Sequence, residues 1–180
     1  MAEKGKLRYL TLRQNVVEIV RKRIFDGTYL PGDRIKELEL ANELEISRGP
    51  IREGMRQLEE EGLVNYITNK GCFVSTLAPK DAWEIYLLRA NLEILSLKLC
   101  NCDVGEKVIK NMEKLYLEML SVAEKNDFNK MVSLDLKFHE CICKASNSKY
   151  LIKLLTSMNG YIYSIFLTVK SAEIRNIEDI

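Results

Sequence analysis

The chain has 180 residues, 47% of them hydrophobic, so it is long enough to fill a core and to form two small domains. Its formal net charge of +1 excludes a uniformly basic nucleic-acid-binding protein, so that any such contact must come from a local patch. The N-terminus lacks an apolar signal segment, no apolar run is long enough to span a membrane, and the cysteines are odd in number, so we expect a reduced, cytoplasmic protein.

The N-terminal part of the chain predicts three helices, the last two separated by a short turn. Thr11 is expected to cap a first helix that ends near Gly27, and a second short helix covers residues 36–43. After a turn of about three residues, Ser47 is expected to cap a third helix with Pro50 in its first turn. This spacing is typical of a helix-turn-helix.

The third helix has two opposite faces. One face carries apolar residues at i, i+4 and i+7, namely Ile51, Met55 and Leu58. The other carries arginines at every fourth position, namely Arg48, Arg52 and Arg56. Because arginine binds phosphate and guanine through paired donors, this face is suited to an anionic partner such as DNA. The alternative is that the arginines only form surface ion pairs with nearby acids, namely Glu53, Glu59 and Glu60.

A β-hairpin is predicted directly after this helix. Gly62 is expected to end the helix, and two strands follow within residues 63–67 and 72–76. Residues 68–71 form the turn, with Lys70 and Gly71 at its tip. The pair Arg34-Ile35 is expected to add a short strand to the hairpin. A helix-turn-helix followed by a hairpin is a winged helix, and its tip is the predicted wing contact with DNA.

Several segments of this region resemble the GntR family of bacterial transcription regulators in order and spacing. They are Pro31-Gly32-Asp33-Arg34, Glu39-Leu40-Ala41, residues 47–53, residues 61–64 and residues 69–74. By that resemblance, the residues that contact DNA are Arg34, Ser47, Arg48, Gly49, Pro50, Arg52, Arg56, Lys70 and Gly71. Arg48 and Arg52 would face the major groove and Arg56 a phosphate. For Arg34 a salt bridge with Asp33 or Glu37 is the alternative.

The chain departs from the family at two positions. Gly49 stands where the family usually has Thr, which removes a hydroxyl able to bond phosphate or a base. Gly54 stands where the family usually has Ala, and glycine inside a helix costs about 1 kcal/mol relative to alanine. Both departures weaken the expected DNA contact without abolishing it.

From Pro79 onward the sequence predicts helices only. Residues 77–80 form a linker, and four amphipathic helices follow at about 79–101, 106–125, 128–145 and 150–175. The first is expected to turn inward the residues Trp83, Tyr86, Leu87, Ala90, Ile94, Leu97 and Cys100. The predicted fold is mainly α, with a winged helix-turn-helix of three helices and a β-hairpin at 8–76 and an all-α helical bundle at 81–180.

The third helix of the bundle contains an acid and the only histidine of the chain. Asp135 and His139, at i and i+4, share the apolar stripe of this helix, so both are expected to point inward and to bond each other. A buried histidine of this kind is either a satisfied core residue or a ligand. The residues alone leave both readings open.

The bundle resembles the FCD effector domain of the FadR-type branch of the GntR family. The matching segments are residues 85–93, 135–139 and 145–147. By that resemblance, Asp135 and His139 would bind a divalent metal (zinc, nickel or manganese) that holds a small carboxylate effector, and Arg89 would face this effector. The family supplies two further histidines, which this chain lacks, so the metal site is expected to be incomplete and the domain to lack its last helices.

Taken together, the sequence predicts a sequence-specific DNA-binding transcription regulator, acting as a repressor and binding its operator as a homodimer. The incomplete site has three explanations: a natural short form, a truncated or frame-shifted reading of a longer gene, or a metal completed by water and effector. Two alternative functions stay open, a regulator that binds DNA without sensing a ligand and a winged helix that contacts an acidic protein. No nucleophile–base pair, phosphate loop or complete ligand set supports an enzyme.

Overall fold

The computed structural model describes the backbone of residues 10–178 and the side chains of residues 10–171. The elements in chain order are α1 (Leu12–Phe25), β1 (Arg34–Ile35), α2 (Glu37–Glu43), α3 (Arg48–Glu60), β2 (Val64–Ile67), β3 (Gly71–Val74), α4 (Pro79–Leu99), α5 (Glu106–Ala123), α6 (Phe128–Ala145), α7 (Lys149–Ser157) and α8 (Asn159–Glu178). Across this described part, no helix is long and apolar enough to cross a membrane.

The predicted winged helix is confirmed by the first six elements. The Thr11 hydroxyl accepts from the Gln14 N–H, and the Gln14 side chain accepts from the Thr11 N–H, which caps α1 reciprocally. The antiparallel sheet has the order β1-β3-β2, so the short strand at Arg34 does join the hairpin. Ser47 occupies the N-cap of α3, but its side chain makes no capping hydrogen bond. The expected position is therefore right and the expected hydrogen bond is wrong.

Gly54 allows α1 and α3 to approach each other closely. A Cβ at residue 54 would lie 2.8 Å from Cγ1 of Val16 and 3.1 Å from its Cβ. Gly54 and Val16 are both buried. The cost of glycine within the helix is thus offset by the tight contact between the two helices.

The bundle has five helices in the described residues, and the predicted single helix at 150–175 is wrong. It is divided at Met158 into α7 and α8. Directly after this break, Gly160 in the first turn of α8 lies against the backbone of Glu61. A Cβ at residue 160 would be 1.8 Å from the Glu61 carbonyl oxygen. This close approach of α8 to Glu61 is possible because residue 160 has no side chain.

Only part of the predicted inward face of α4 is right, because Tyr86, Leu97 and Cys100 are half-buried and the other residues are exposed. Trp83, Leu87 and Ile94 are 69%, 50% and 50% exposed, whereas Arg89 and Ser96 are buried. The Ser96 hydroxyl donates to the carbonyl of Ile142 on α6 at 2.6 Å. Because α4 packs on α6 through this polar side, its apolar side faces solvent in the single chain.

The bundle and the winged helix share one hydrophobic core. Tyr163 and Leu167 of α8 are buried in the same cluster as the apolar residues of α1 and α3. The ring of Tyr163 stacks on Phe25, with centroids 3.7 Å apart, and the Ser164 hydroxyl donates to the Gly62 carbonyl at 3.1 Å. The C-terminal end of α3 is therefore held by α8.

The predicted domain boundaries at residues 76 and 81 stay predictions, because the two parts share a core. Residues 8 and 9 of the first predicted domain lie outside the described residues. The predicted linker at 77–80 overlaps α4, which begins at Pro79. The structure adds a buried contact between the two parts, formed by Tyr163 and Leu167 of α8.

We expect Gly160→Ala to destabilise the folded chain by about 3 kcal/mol, at the upper end of typical overpacking costs, because the added Cβ meets backbone that cannot rotate away. The measurement is the midpoint of urea unfolding. Gly49→Ala is the matched control, since Gly49 is also helical but a Cβ there meets nothing within 4 Å. This control should be unchanged or more stable. Equal effects of the two substitutions would contradict the close contact at Glu61.

Candidate nucleic-acid interface

The two faces of α3 are separated as the sequence predicts. Ile51, Met55 and Leu58 are fully buried against the rest of the winged helix. The three arginines on the other face are exposed, namely Arg48, Arg52 and Arg56. The same helix therefore supplies part of the core and a positively charged outer surface.

The arginines of α3 do not form ion pairs with the acids that lie near them in the sequence. Among the described residues, Arg48 and Arg56 form no ion pair within 4.0 Å, and Arg52 pairs with Glu37 rather than with Glu53. That pair joins Nε of Arg52 to a carboxylate oxygen of Glu37 at 3.5 Å, and Arg52 remains exposed. The guanidinium groups are thus available to an anionic partner.

The start of α3 is open to solvent. Ser47 and Gly49 are exposed, and Pro50 is half-buried in the first turn. Since the Ser47 side chain does not cap the helix, its hydroxyl is free to bond a partner. The unpaired N–H groups of a first helical turn favour an anion such as phosphate.

The structure brings Arg34 next to the tip of the wing. Gly71 has a φ of +104°, and a Cβ there would lie 3.4 Å from Nε and Nη2 of Arg34. The alternative salt bridges of Arg34 are not found in the described residues, and the Asp33 carboxylate instead accepts from the Leu30 N–H at 2.8 Å. Lys70 beside Gly71 is exposed. Arg34, Lys70 and Gly71, which we call the wing group, therefore place two cations at the wing.

Two residues near Arg52 were missed by the sequence analysis. The Glu37 carboxylate accepts from the Tyr66 hydroxyl, and the Tyr66 N–H donates to the Glu59 carboxylate at 3.1 Å. Burial and the hydrogen bond to Glu37 raise the pKa of Tyr66 well above its ordinary value, so the phenol remains a neutral donor. No local pattern could reveal this contact, because it joins α2 to β2 across 29 residues.

A second polar group lies inside the bundle, where Asp135 and His139 point inward as predicted. Nη1 of Arg89 donates to Asp135 at 2.9 Å, and Nδ1 of His139 lies 2.7 Å from Glu93. Nε2 of His139 is 3.5 Å from Asp135, and Nε of Arg89 is 3.8 Å from Glu93. The four side chains, Arg89, Glu93, Asp135 and His139, form a closed arrangement that we call the bundle ring.

The charges of the bundle ring balance. Burial opposes the charged form of His139, but its hydrogen bonds to Asp135 and Glu93 outweigh burial and raise its pKa to about 9. Burial likewise opposes the charged form of Asp135, yet the bond from His139 and the charge of Arg89 hold its pKa below the ordinary value. The ring thus combines two cations with two anions. Glu93 was missed, although it lies four residues after Arg89.

The bundle ring as arranged does not fit a resident metal. Nδ1 of His139 already lies against the carboxylate of Glu93, and Arg89 already bonds the carboxylate of Asp135. The described residues contain no group of three His, Cys, Asp or Glu side chains arranged to hold an ion. The divalent metal at Asp135 and His139 therefore stays a prediction that rests on the family resemblance alone.

Comparisons with known proteins agree with this architecture. Residues 12–74 match the family described as bacterial regulatory proteins, gntR family, and residues 84–178 match the FCD domain. The chain is 37% identical over 146 residues to the uncharacterized HTH-type transcriptional regulator YdhC of Bacillus subtilis, covering 80% of this chain and 65% of that one. It is 30% identical over 150 residues to the gluconate operon transcriptional repressor of Bacillus subtilis, covering 82% and 60%.

A solved structure shows the same arrangement. The crystal structure of a putative transcriptional regulator GntR from Rhodococcus sp. RHA1 superposes with a TM-score of 0.70 at 25% identity, over 86% of this chain and 74% of that one. The chain spans less than two-thirds of the length of the two Bacillus relatives. Its winged helix, its helical bundle and these matches lead to one conclusion: the chain belongs to the GntR family of bacterial transcription regulators, with an FCD domain following the DNA-binding domain.

Proposed function

We propose that this DNA-binding regulator represses transcription by placing the arginine face of α3 in the major groove of an operator. The observation that supports the proposal is the division of α3 into a fully buried apolar face and an opposite face of exposed arginines. A helix of about this length fits the major groove, where arginine can donate to guanine O6 and N7. A relative named as the gluconate operon repressor supports repression as the mode.

Each contact has an expected role. Arg48 and Arg52, in the first part of α3, read base edges. Arg56, one turn further, meets phosphate.

The wing group, Arg34, Lys70 and Gly71, binds the DNA backbone. Ser47, Gly49 and Pro50 let the start of α3 approach a phosphate closely.

The proposed assembly is a homodimer. Helix-turn-helix proteins commonly read two half-sites about one DNA turn apart, which requires two copies. The exposed apolar side of α4 is a surface that a second copy could cover, with Trp83, Leu87, Leu88, Ile94, Leu95 and Leu99. We place this activity in the cytoplasm, in keeping with five cysteines that are all free.

Two candidates remain for the bundle. In the first, a small carboxylate effector binds Arg89 and thereby alters operator binding. In the second, the bundle senses no such ligand. The bundle ring favours the second, because Arg89 is already bonded to Asp135 and a carboxylate would have to displace that acid.

Replacing Arg48 or Arg52 by alanine should weaken binding to the operator by about 1–3 kcal/mol and relax sequence preference at one position. The measurement is an electrophoretic assay with a duplex that the wild type selects from a random-sequence pool. Lys98→Ala, which removes an exposed cation from α4, is the control and should bind as the wild type does. Wild-type affinity and preference in Arg48→Ala and Arg52→Ala would contradict the proposed interface.

The bundle ring predicts a pH dependence of stability. His139 binds its proton more tightly in the folded chain, with a pKa of about 9 against 6.5 when unperturbed. The contribution of His139 to the free energy of unfolding is therefore complete below pH 6.5 and is lost as the pH rises to about 9. The urea midpoint of the wild type should fall across this window, and His139→Gln should lack most of that fall.

Measuring the urea midpoint with added metal distinguishes the bundle ring from a metal site. Zinc, nickel or manganese at neutral pH should leave the urea midpoint of the wild type unchanged if His139 is a protonated member of the ring. A metal that stabilises the wild type but not His139→Gln would contradict the ring and support the predicted ligand role. A small carboxylate such as citrate can be tested in the same format, with operator affinity as the second readout.

A further inference from the structure

We infer that Glu37 is a positioning residue, which aims Arg52 at a base and is itself anchored by Tyr66. This inference rests on the proposed role of Arg52 in DNA reading. Glu37 is the first residue of α2, Arg52 lies on α3 and Tyr66 on β2. The three side chains therefore connect the helix-turn-helix to the wing at the edge of the arginine face.

The contact of Glu37 leaves the reading end of Arg52 free. The carboxylate approaches Nε of Arg52, at 3.5 Å, and not its two terminal nitrogens. Nη1 and Nη2 can then donate side by side to O6 and N7 of a guanine. We expect this ion pair to restrict the plane of the guanidinium, so that Arg52 loses less rotational freedom on binding.

The side chain of Glu37 is held more firmly than the side chain of Arg52, which it contacts. Its other carboxylate oxygen accepts from the Tyr66 hydroxyl, and the Tyr66 N–H is bonded to Glu59. The Glu37 side chain is 21% exposed, against 64% for Arg52. Glu37 also stands in the first turn of α2, where a negative charge is favoured by the helix dipole. Glu37 on α2 is thus fixed by Tyr66 on β2, and it in turn restricts the more exposed Arg52 on α3.

The negative charge of Glu37 beside the arginine face should change the affinity for DNA measurably. A carboxylate facing DNA repels phosphate and lowers binding to any sequence. An exposed ion pair contributes little stability in return, about 0–1 kcal/mol. Glu37 is therefore expected to lower non-specific binding and to raise the preference for one base.

The test compares two duplexes of equal length, one that the wild type selects from a random pool and one unrelated. Glu37→Gln keeps the size of the side chain and an acceptor for Tyr66 but removes the charge. It should lower the ratio of specific to non-specific affinity about tenfold, while non-specific affinity stays equal or rises. Tyr66→Phe, which only removes the anchoring hydroxyl, should lower the ratio in the same direction but less.

Glu39→Gln is the matched control. Glu39 lies on the same helix, is 69% exposed and pairs with Lys36 at 2.8 Å, away from Arg52. Its removal should raise both affinities equally and leave their ratio unchanged. In an Arg52→Ala background, Glu37→Gln should have no further effect on the ratio.

Two kinds of result would overturn the inference, and they have different consequences for the proposed function. An unchanged ratio in Glu37→Gln, or an equal loss of ratio in the Arg52→Ala background, shows that Glu37 acts only as a charge, while the DNA role of Arg52 stands. An unchanged ratio in Arg52→Ala itself shows that Arg52 reads no base, and the proposed function and the inference then fail together.

Discussion

Burial of the apolar face of α3 is the interaction on which the other features depend. Ile51, Met55 and Leu58 are fully buried, and each such side chain contributes about 1.5–3 kcal/mol when removed from water. An exposed ion pair contributes about 0–1 kcal/mol. The hydrophobic face therefore determines the rotation of α3, and the arginines at every fourth residue must face outward. The charged surface is a consequence of the core and not of a high net charge.

The same helix is held at its far end by the bundle. Gly160 lies against the Glu61 backbone, Ser164 donates to Gly62, and Tyr163 stacks on Phe25. Because interiors are close-packed, we expect a shift of α8 to be transmitted to the end of α3. This contact gives the bundle a physical connection to the helix that we propose reads DNA.

Much of this arrangement was predictable from local patterns. Helical periodicity, the Thr11 cap and the turn residues located the winged helix, and the spacing of Asp135 and His139 placed both inside the bundle. The exposed side of α4 was not predictable, because there the apolar stripe faces outward and Arg89 faces inward. The contact of Gly160 with Glu61 and the partners Glu37 and Glu93 depend on elements far apart in the chain. Such features require the folded chain.

The central claim is that the arginine face of α3 binds DNA, and the salt dependence of binding tests it most directly. The measurement is the slope of log affinity against log salt concentration for the selected duplex, with the wild type and Arg56→Ala. We expect a steep negative slope that becomes shallower by about one unit in Arg56→Ala, with the selected sequence unchanged. An affinity that does not depend on salt, or a wild type without DNA affinity, would contradict the account and favour a winged helix that contacts an acidic protein.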